Sequence, residues 1–277
     1  MRKLLSKLRT RCGNAASESA SEMPFETSLG RRLVAPSPQL CAITDVGLRR
    51  KTNEDDFFLS PEGRFWIVAD GMGGEACGDV ASRLAIQAMS AILADCDAAS
   101  ARATQRRLLE AFDAAQVSVL DYAQSHPDSI GMGAAALAAV VTERQIHICY
   151  AGDVRCYVMS DRTLELITQD HSSAERLVQM GFMTREQARL SPQQGVLEQA
   201  IGLARGFRPT THSHRLKKGD LVLVCSDGLW ESIPEGDLSA ILGFANRTLR
   251  QRATDLVDRA NGAGGNDNMT VVLYECA

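Results

Sequence analysis

The stretch "GMGAAALAAVVTERQIHICYAGDVRCYVMSDRTLELIT", residues 131–168, decides the fold. It holds four short apolar or β-rich runs: "GMGAAALAAVVTE", "QIHICYAG", "VRCYVMS" and "TLELIT". A crossover between parallel strands needs a dozen or more residues, and the turns between these runs are far shorter than that. That argues for antiparallel pairing of the runs rather than βαβ units.

Working outward, "LCAIT" (40–44), "DDFFLS" (55–60) and "RFWIVAD" (64–70) read as earlier strands, and "LVLVCSD" (221–227) and "MTVVLYE" (269–275) as the last ones. Between the early and middle strands lie two long helical patterns. In residues 78–96, Val80, Leu84, Met89 and Leu93 recur near the helical period, and residues 104–126 repeat this with Leu108, Leu109, Phe112, Val117 and Leu120. Residues 172–203 read as short helices and loop, and further helical segments are expected around Leu238 and over 249–257. Strands, two long helices, more strands, helices and a final strand give an α+β domain. Antiparallel sheets carry helices on their outer faces in such a domain.

Aspartate falls in unusual places. Asp70 closes one strand run and is followed by Gly71, and Asp227 closes another and is followed by Gly228. Asp267 sits in "GGNDN" before the final strand, Asp153 follows "ICYAG", and Glu54 and Asp55 lie in "NEDD", which opens "FFLS". A single Asp-Gly after a strand is most often a turn. The joint pattern points further, because strand ends of one packed sheet system converge on one edge. Bare carboxylates crowded there would repel, and a hard divalent cation such as Mg²⁺ or Mn²⁺ removes that cost. Gly71 would let a backbone carbonyl approach a metal, and Gly73 and Gly74 keep side chains out of the way. The basic group Arg49, Arg50 and Lys51 just upstream has two readings: a solvated loop, or a guanidinium that clamps phosphate bidentately.

The bulk numbers set bounds. At 277 residues with 45% hydrophobic content, the chain can bury a well-developed core. A net charge of −4 argues against nucleic-acid binding, and no run approaches the roughly 18 apolar residues of a membrane span. The eight cysteines are scattered without a C-x-x-C pair, as for buried free thiols in a reducing cytoplasm. Residues 1–37 read as a basic, then Ser/Ala-rich tail. Disorder is preferred over a basic amphipathic helix at a membrane or partner surface. The folded domain is expected over 38–277, with two prolines in "LVAPSPQ" marking the boundary.

Seven stretches in order resemble the metal-dependent Ser/Thr protein phosphatases of type 2C, in the short bacterial form. They are "TDVGLRRKTNEDDFF", "VADGMGGEACGDVAS", "YAGDVRCYV", "LITQDHS", "VLEQAIG", "KKGDLVLVCSDGLWE" and "GGNDNMTVVL". The resemblance implies a four-layer α-β-β-α sandwich, two antiparallel sheets flanked by helix pairs, with two Mn²⁺ or Mg²⁺ ions in a cleft at one end. By position, Asp70 bridges both ions, the Gly71 carbonyl binds one, and Asp227 and Asp267 complete the other. Glu54 and Asp55 act directly or through waters, Asp153 serves a possible third ion, and Arg50 holds the phosphate. Two ions about 3.5–4 Å apart share a water that becomes the attacking hydroxide, so no covalent enzyme intermediate is needed. The implied enzyme is a monomeric cytoplasmic phosphoprotein phosphatase that reverses a Ser/Thr kinase.

Departures accompany the matches. Met72 stands where many eukaryotic members carry a histidine proposed as general acid and bacterial members commonly have Met. Ala134 and Ala135 replace a usual threonine pair, and Val154 replaces the serine after Asp153. His171 is read as a structural hydrogen-bonding residue, and residues 177–195 fall where the family carries a flap. Two further readings stand beside the enzyme: a pseudo-phosphatase acting as a regulatory binding module, and a phosphoesterase for small molecules. Survival of Asp70, Asp227, Asp267, Glu54 and Arg50 favours the active enzyme over the first.

Overall fold

A computed structural model describes residues 30–73, 77–96, 100–203 and 206–277. Of the expected tail over residues 1–37, residues 1–29 lie outside the described residues, as does Gly74.

Eleven strands form two antiparallel sheets among the described residues. The first runs β1 (Arg31–Ser37), β2 (Leu40–Asp45), β11 (Met269–Glu275), β10 (Leu221–Cys225), β7 (Arg155–Ser160) and β8 (Thr163–Leu166) in spatial order. The second runs β3 (Asp55–Leu59), β4 (Phe65–Met72), β5 (Gly133–Thr142), β6 (Gln145–Ala151) and β9 (Thr210–Arg215). The hairpins β5–β6 and β7–β8 bear out the antiparallel reading of residues 131–168. Strands β6 and β7 do not pair, and the chain passes between them from the second sheet to the first.

Alternation along the strands builds three apolar layers. On β4, Trp66 and Val68 point into the space between the sheets, where they meet Leu137, Ile148, Val158, Val224 and Val272. Phe65, Ile67 and Ala69 point the other way, against helices α1 (Gly78–Leu93) and α2 (Ala101–Ser125). Strand β5 presents Ala134, Ala136 and Ala138 to those helices, so Met89, Leu108 and Phe112 pack closely over it. The opposite face of the first sheet carries α5 (Asp227–Trp230), α6 (Glu235–Leu242) and α7 (Leu249–Gly262), through Leu229, Leu238 and Leu256. The result is the expected four-layer α-β-β-α sandwich. Two short helices, α3 (Ser173–Gln179) and α4 (Arg185–Arg189), fill the segment read as short helices and loop.

One boundary is corrected. Arg31–Ser37 is an edge strand paired with β2, so the folded domain begins before residue 38. The register slips between Val34 and Ser37, and an irregular edge is where a strand tolerates Pro36. Charge ties this strand down: Arg31 Nε donates to Asp45 at 2.6 Å, and Arg32 pairs with Asp56 and lies over the Phe57 ring. Strand β9 is the second element not anticipated. Its sequence, "TTHSHR", has no apolar alternation because it too is an edge. No helix among the described residues is long and apolar enough to cross a membrane.

Candidate metal centre

The strand-end carboxylates meet at one end of the sandwich. Asp55 and Asp70 face each other across the β3–β4 pair. Asp227 opens α5 directly after β10, Asp267 precedes β11, and Asp153 lies in the connection between β6 and β7. Five strand ends from both sheets therefore deliver aspartates to one cleft.

Both Asp-Gly pairs are explained by close approach of backbone. A Cβ on Gly71 would stand 2.0 Å from the Gly78 carbonyl oxygen, and one on Gly228 would stand 1.9 Å from that of Asn268. Glycine at 71 thus brings the start of α1 against the end of β4, and Gly228 brings α5 against β11. The sequence had suggested carbonyl coordination for Gly71, and packing alone already demands glycine there.

Buried polar groups hold the carboxylates. Ser226 Oγ donates to Asp55 Oδ2 at 2.6 Å and accepts the Thr270 N–H at 2.9 Å, which joins β3, β10 and β11 behind the cleft. Asn268 Oδ1 accepts the Glu54 N–H at 2.8 Å, while its Nδ2 donates to the Val46 and Thr52 carbonyls. That amide pins the loop carrying Arg50 against β11. Arg50 Nη2 donates to Asp267 Oδ2 at 2.7 Å at the cleft mouth. Sequence reading missed Ser226 and Asn268 as supports, although each is adjacent to an aspartate it had singled out.

The electrostatics are those of crowded anions. Desolvation, reinforced by the neighbouring carboxylates, raises Asp70 and Asp227 well above the usual carboxylate range, although each keeps a face open to the cleft. Asp55 and Asp153, buried more completely, rise to about 6 and about 7, again first through desolvation. Burial also raises Glu54, opposed by Arg50 and by the Gly78 N–H at the start of α1. Among the described residues no three of these groups stand close enough together to hold a metal ion as they are. The residues nonetheless fit a hard divalent cation. The donor set is all oxygen, one buried oxygen, Asp55 Oδ1, has no partner, and a cation would offset the charge that raises the carboxyl pKa values.

The remaining sequence expectations fall around this cleft. His171 is structural: Nδ1 accepts the Gly152 N–H at 3.2 Å, Nε2 contacts Thr210 Oγ1 at 3.0 Å, and the ring stacks on Tyr150. Ala135 and Ala134 pair with Asp70 and Gly71, and Gly152 sits close against Ala135. Met72 ends β4 opposite Gly133. Arg189, on α4 of the flap segment, is near enough to Glu231 to oppose the rise that burial causes in its pKa.

Comparison with known proteins shows the family and the fold. The family model described as Protein phosphatase 2C matches residues 48–270. The serine/threonine phosphatase stp of Listeria monocytogenes is 34% identical over 236 residues, 84% of this chain and 93% of that protein. The crystal structure of the S. agalactiae serine/threonine phosphatase superposes with a TM-score of 0.80 at 31% identity, covering 86% of this chain and 99% of that one. The catalytic domain of the phosphatase PstP, solved in complex with two manganese ions, gives a TM-score of 0.77 at 30% identity over 86% of this chain and 97% of that one. On sequence, fold and site together, the chain belongs to the protein phosphatase 2C family.

Proposed function

We propose that this chain hydrolyses phosphoserine and phosphothreonine in proteins, using two divalent cations held by Asp70, Asp227, Asp267, Glu54, Asp55 and the Gly71 carbonyl, with Asp153 serving a third. The observation that carries this reading is the convergence of Asp55, Asp70, Asp153, Asp227 and Asp267 on one cleft with Arg50 at its mouth. Mn²⁺ or Mg²⁺, when bound, supplies an activated water and positive charge for the phosphoryl oxygens. The protein's own groups do the rest. Ser226 and Asn268 hold Asp55 and the Glu54 backbone in place, so these two donors are positioned before an ion arrives. Arg50 now grips a carboxylate, Asp267, with one terminal nitrogen. The same planar fork suits a phosphoryl group once Asp267 turns to a metal.

Burial raises the described thiols Cys41, Cys149, Cys156 and Cys225, which places them outside any nucleophilic role. The relatives' names support a phosphoprotein substrate, which fits a monomeric cytoplasmic enzyme opposing a Ser/Thr kinase. The test is phosphate release from matched phosphothreonine and phosphotyrosine peptides, with Mn²⁺ and with EDTA. Turnover of the phosphothreonine peptide in Mn²⁺ alone is expected. Preference for phosphotyrosine would overturn the substrate class.

A further inference from the structure

Beside the carboxylate cluster lies a second arginine, Arg155, for which the hydrolytic chemistry has no use. It opens β7 opposite Cys225, two residues after Asp153 and across from the strand end that leads to Asp227. Its guanidinium is engaged on every side. Nε and Nη2 form a fork on Asp170, at 3.0 and 2.7 Å, and Nη1 donates to the Tyr157 hydroxyl at 3.2 Å. The guanidinium carbon stands 3.6 Å from the centre of the Trp230 ring. Trp230 is buried, and its indole N–H donates to the Asp153 carbonyl at 3.1 Å. It also closes α5, the single turn that Asp227 opens.

We propose that Arg155 is a positioning residue for the Asp153 side of the centre, where the third ion would bind next to Asp227. The fork on Asp170 fixes the guanidinium plane, and the plane fixes the Trp230 ring. The ring's N–H then fixes the Asp153 backbone, while its helical turn fixes Asp227. A stabilising pair alone needs none of this: two apolar side chains of the same volume would serve the fold as well. What they would lose is the fixed orientation of a hydrogen-bonding indole between two carboxylates. Lysine cannot replace Arg155, since it offers neither a fork nor a stacking plane. Partners of this kind set metal affinity in other proteins. The assignment rests on the metal-centre reading given above, in which Asp153 serves a third ion.

The experiment is a pair of measurements on the full chain and on R155K and W230F. Mn²⁺ isotherms are read from the paramagnetic resonance of the free ion, and thermal unfolding is followed in EDTA. W230F keeps an aromatic ring beneath the guanidinium while removing the indole N–H together with part of the ring, so it carries the test if R155K folds poorly. Both variants are expected to weaken the weaker Mn²⁺ step by about 10–100-fold and leave the tighter step within about twofold. Isotherms that superimpose on the wild type would overturn the assignment, whatever happens to the unfolding temperature. A wild-type chain that binds no Mn²⁺ would instead overturn the metal-centre reading itself, and the assignment with it.

Discussion

Two arginines border the same carboxylate cluster and are held in opposite ways. Arg50 sits on a loop at the cleft mouth, with about half its side chain exposed and one close bond, to Asp267. Arg155 is mostly enclosed and bound by Asp170, Tyr157 and Trp230 together. A cation held by one exposed carboxylate can exchange that partner for a phosphoryl group at small cost. A cation locked on several sides cannot, and its contribution goes into geometry. The difference separates a group that meets substrate from one that orients the groups that do.

Substitutions sharpen this contrast. The largest effect belongs to the residue both halves share. Asp70→Asn should lower kcat on a phosphothreonine peptide by on the order of 10³-fold at saturating Mn²⁺, because it removes the anion at the centre of the cluster. Arg155→Met strands the buried Asp170 carboxylate, and chemical denaturation should show a loss of about 3 kcal/mol. Arg50→Ala should do the reverse, lowering kcat/KM by about 10²-fold while unfolding stability stays within about 0.5 kcal/mol of wild type. If Arg50→Ala destabilised the fold as much as Arg155→Met, the distinction between the two would fail. Ser226→Ala removes the 2.6 Å donor to the buried Asp55 carboxylate and should cost about 1–3 kcal/mol in the same denaturation assay.

A smaller effect appears with pH. The raised carboxyl groups bind protons more tightly in the folded state than in the unfolded chain. Their contribution to stability is complete below the ordinary aspartate range and is lost as pH rises through about 6 for Asp55 and about 7 for Asp153. In EDTA the unfolding temperature should therefore fall between about pH 5 and about pH 8, and added Mn²⁺ should remove most of that fall. A flat profile in EDTA would mean that the carboxylates are not crowded as described.

Much of this was legible from the sequence, for reasons that differ by element. The aspartates at 70, 227 and 267 stood out because a charge at the end of an apolar run breaks a strong local pattern. The sheets were readable from short turns and apolar runs. Strands β1 and β9 were not, since edge strands lack a buried face on both sides and carry "RRLVAPS" and "TTHSHR". The clamp of Arg155, Asp170 and Trp230 joins residues 15 and 75 positions apart in sequence from Arg155, and only the packed sheet brings them together. Gly71 was singled out for metal approach, yet its tightest constraint is the start of α1.

The central claim is that the carboxylate cluster works only with divalent ions bound. Its most direct test is phosphothreonine-peptide hydrolysis by EDTA-stripped protein, followed by return of Mn²⁺ or Mg²⁺ in excess. The account predicts no turnover in EDTA and recovery on adding either ion. Hydrolysis that persists undiminished in EDTA would contradict it.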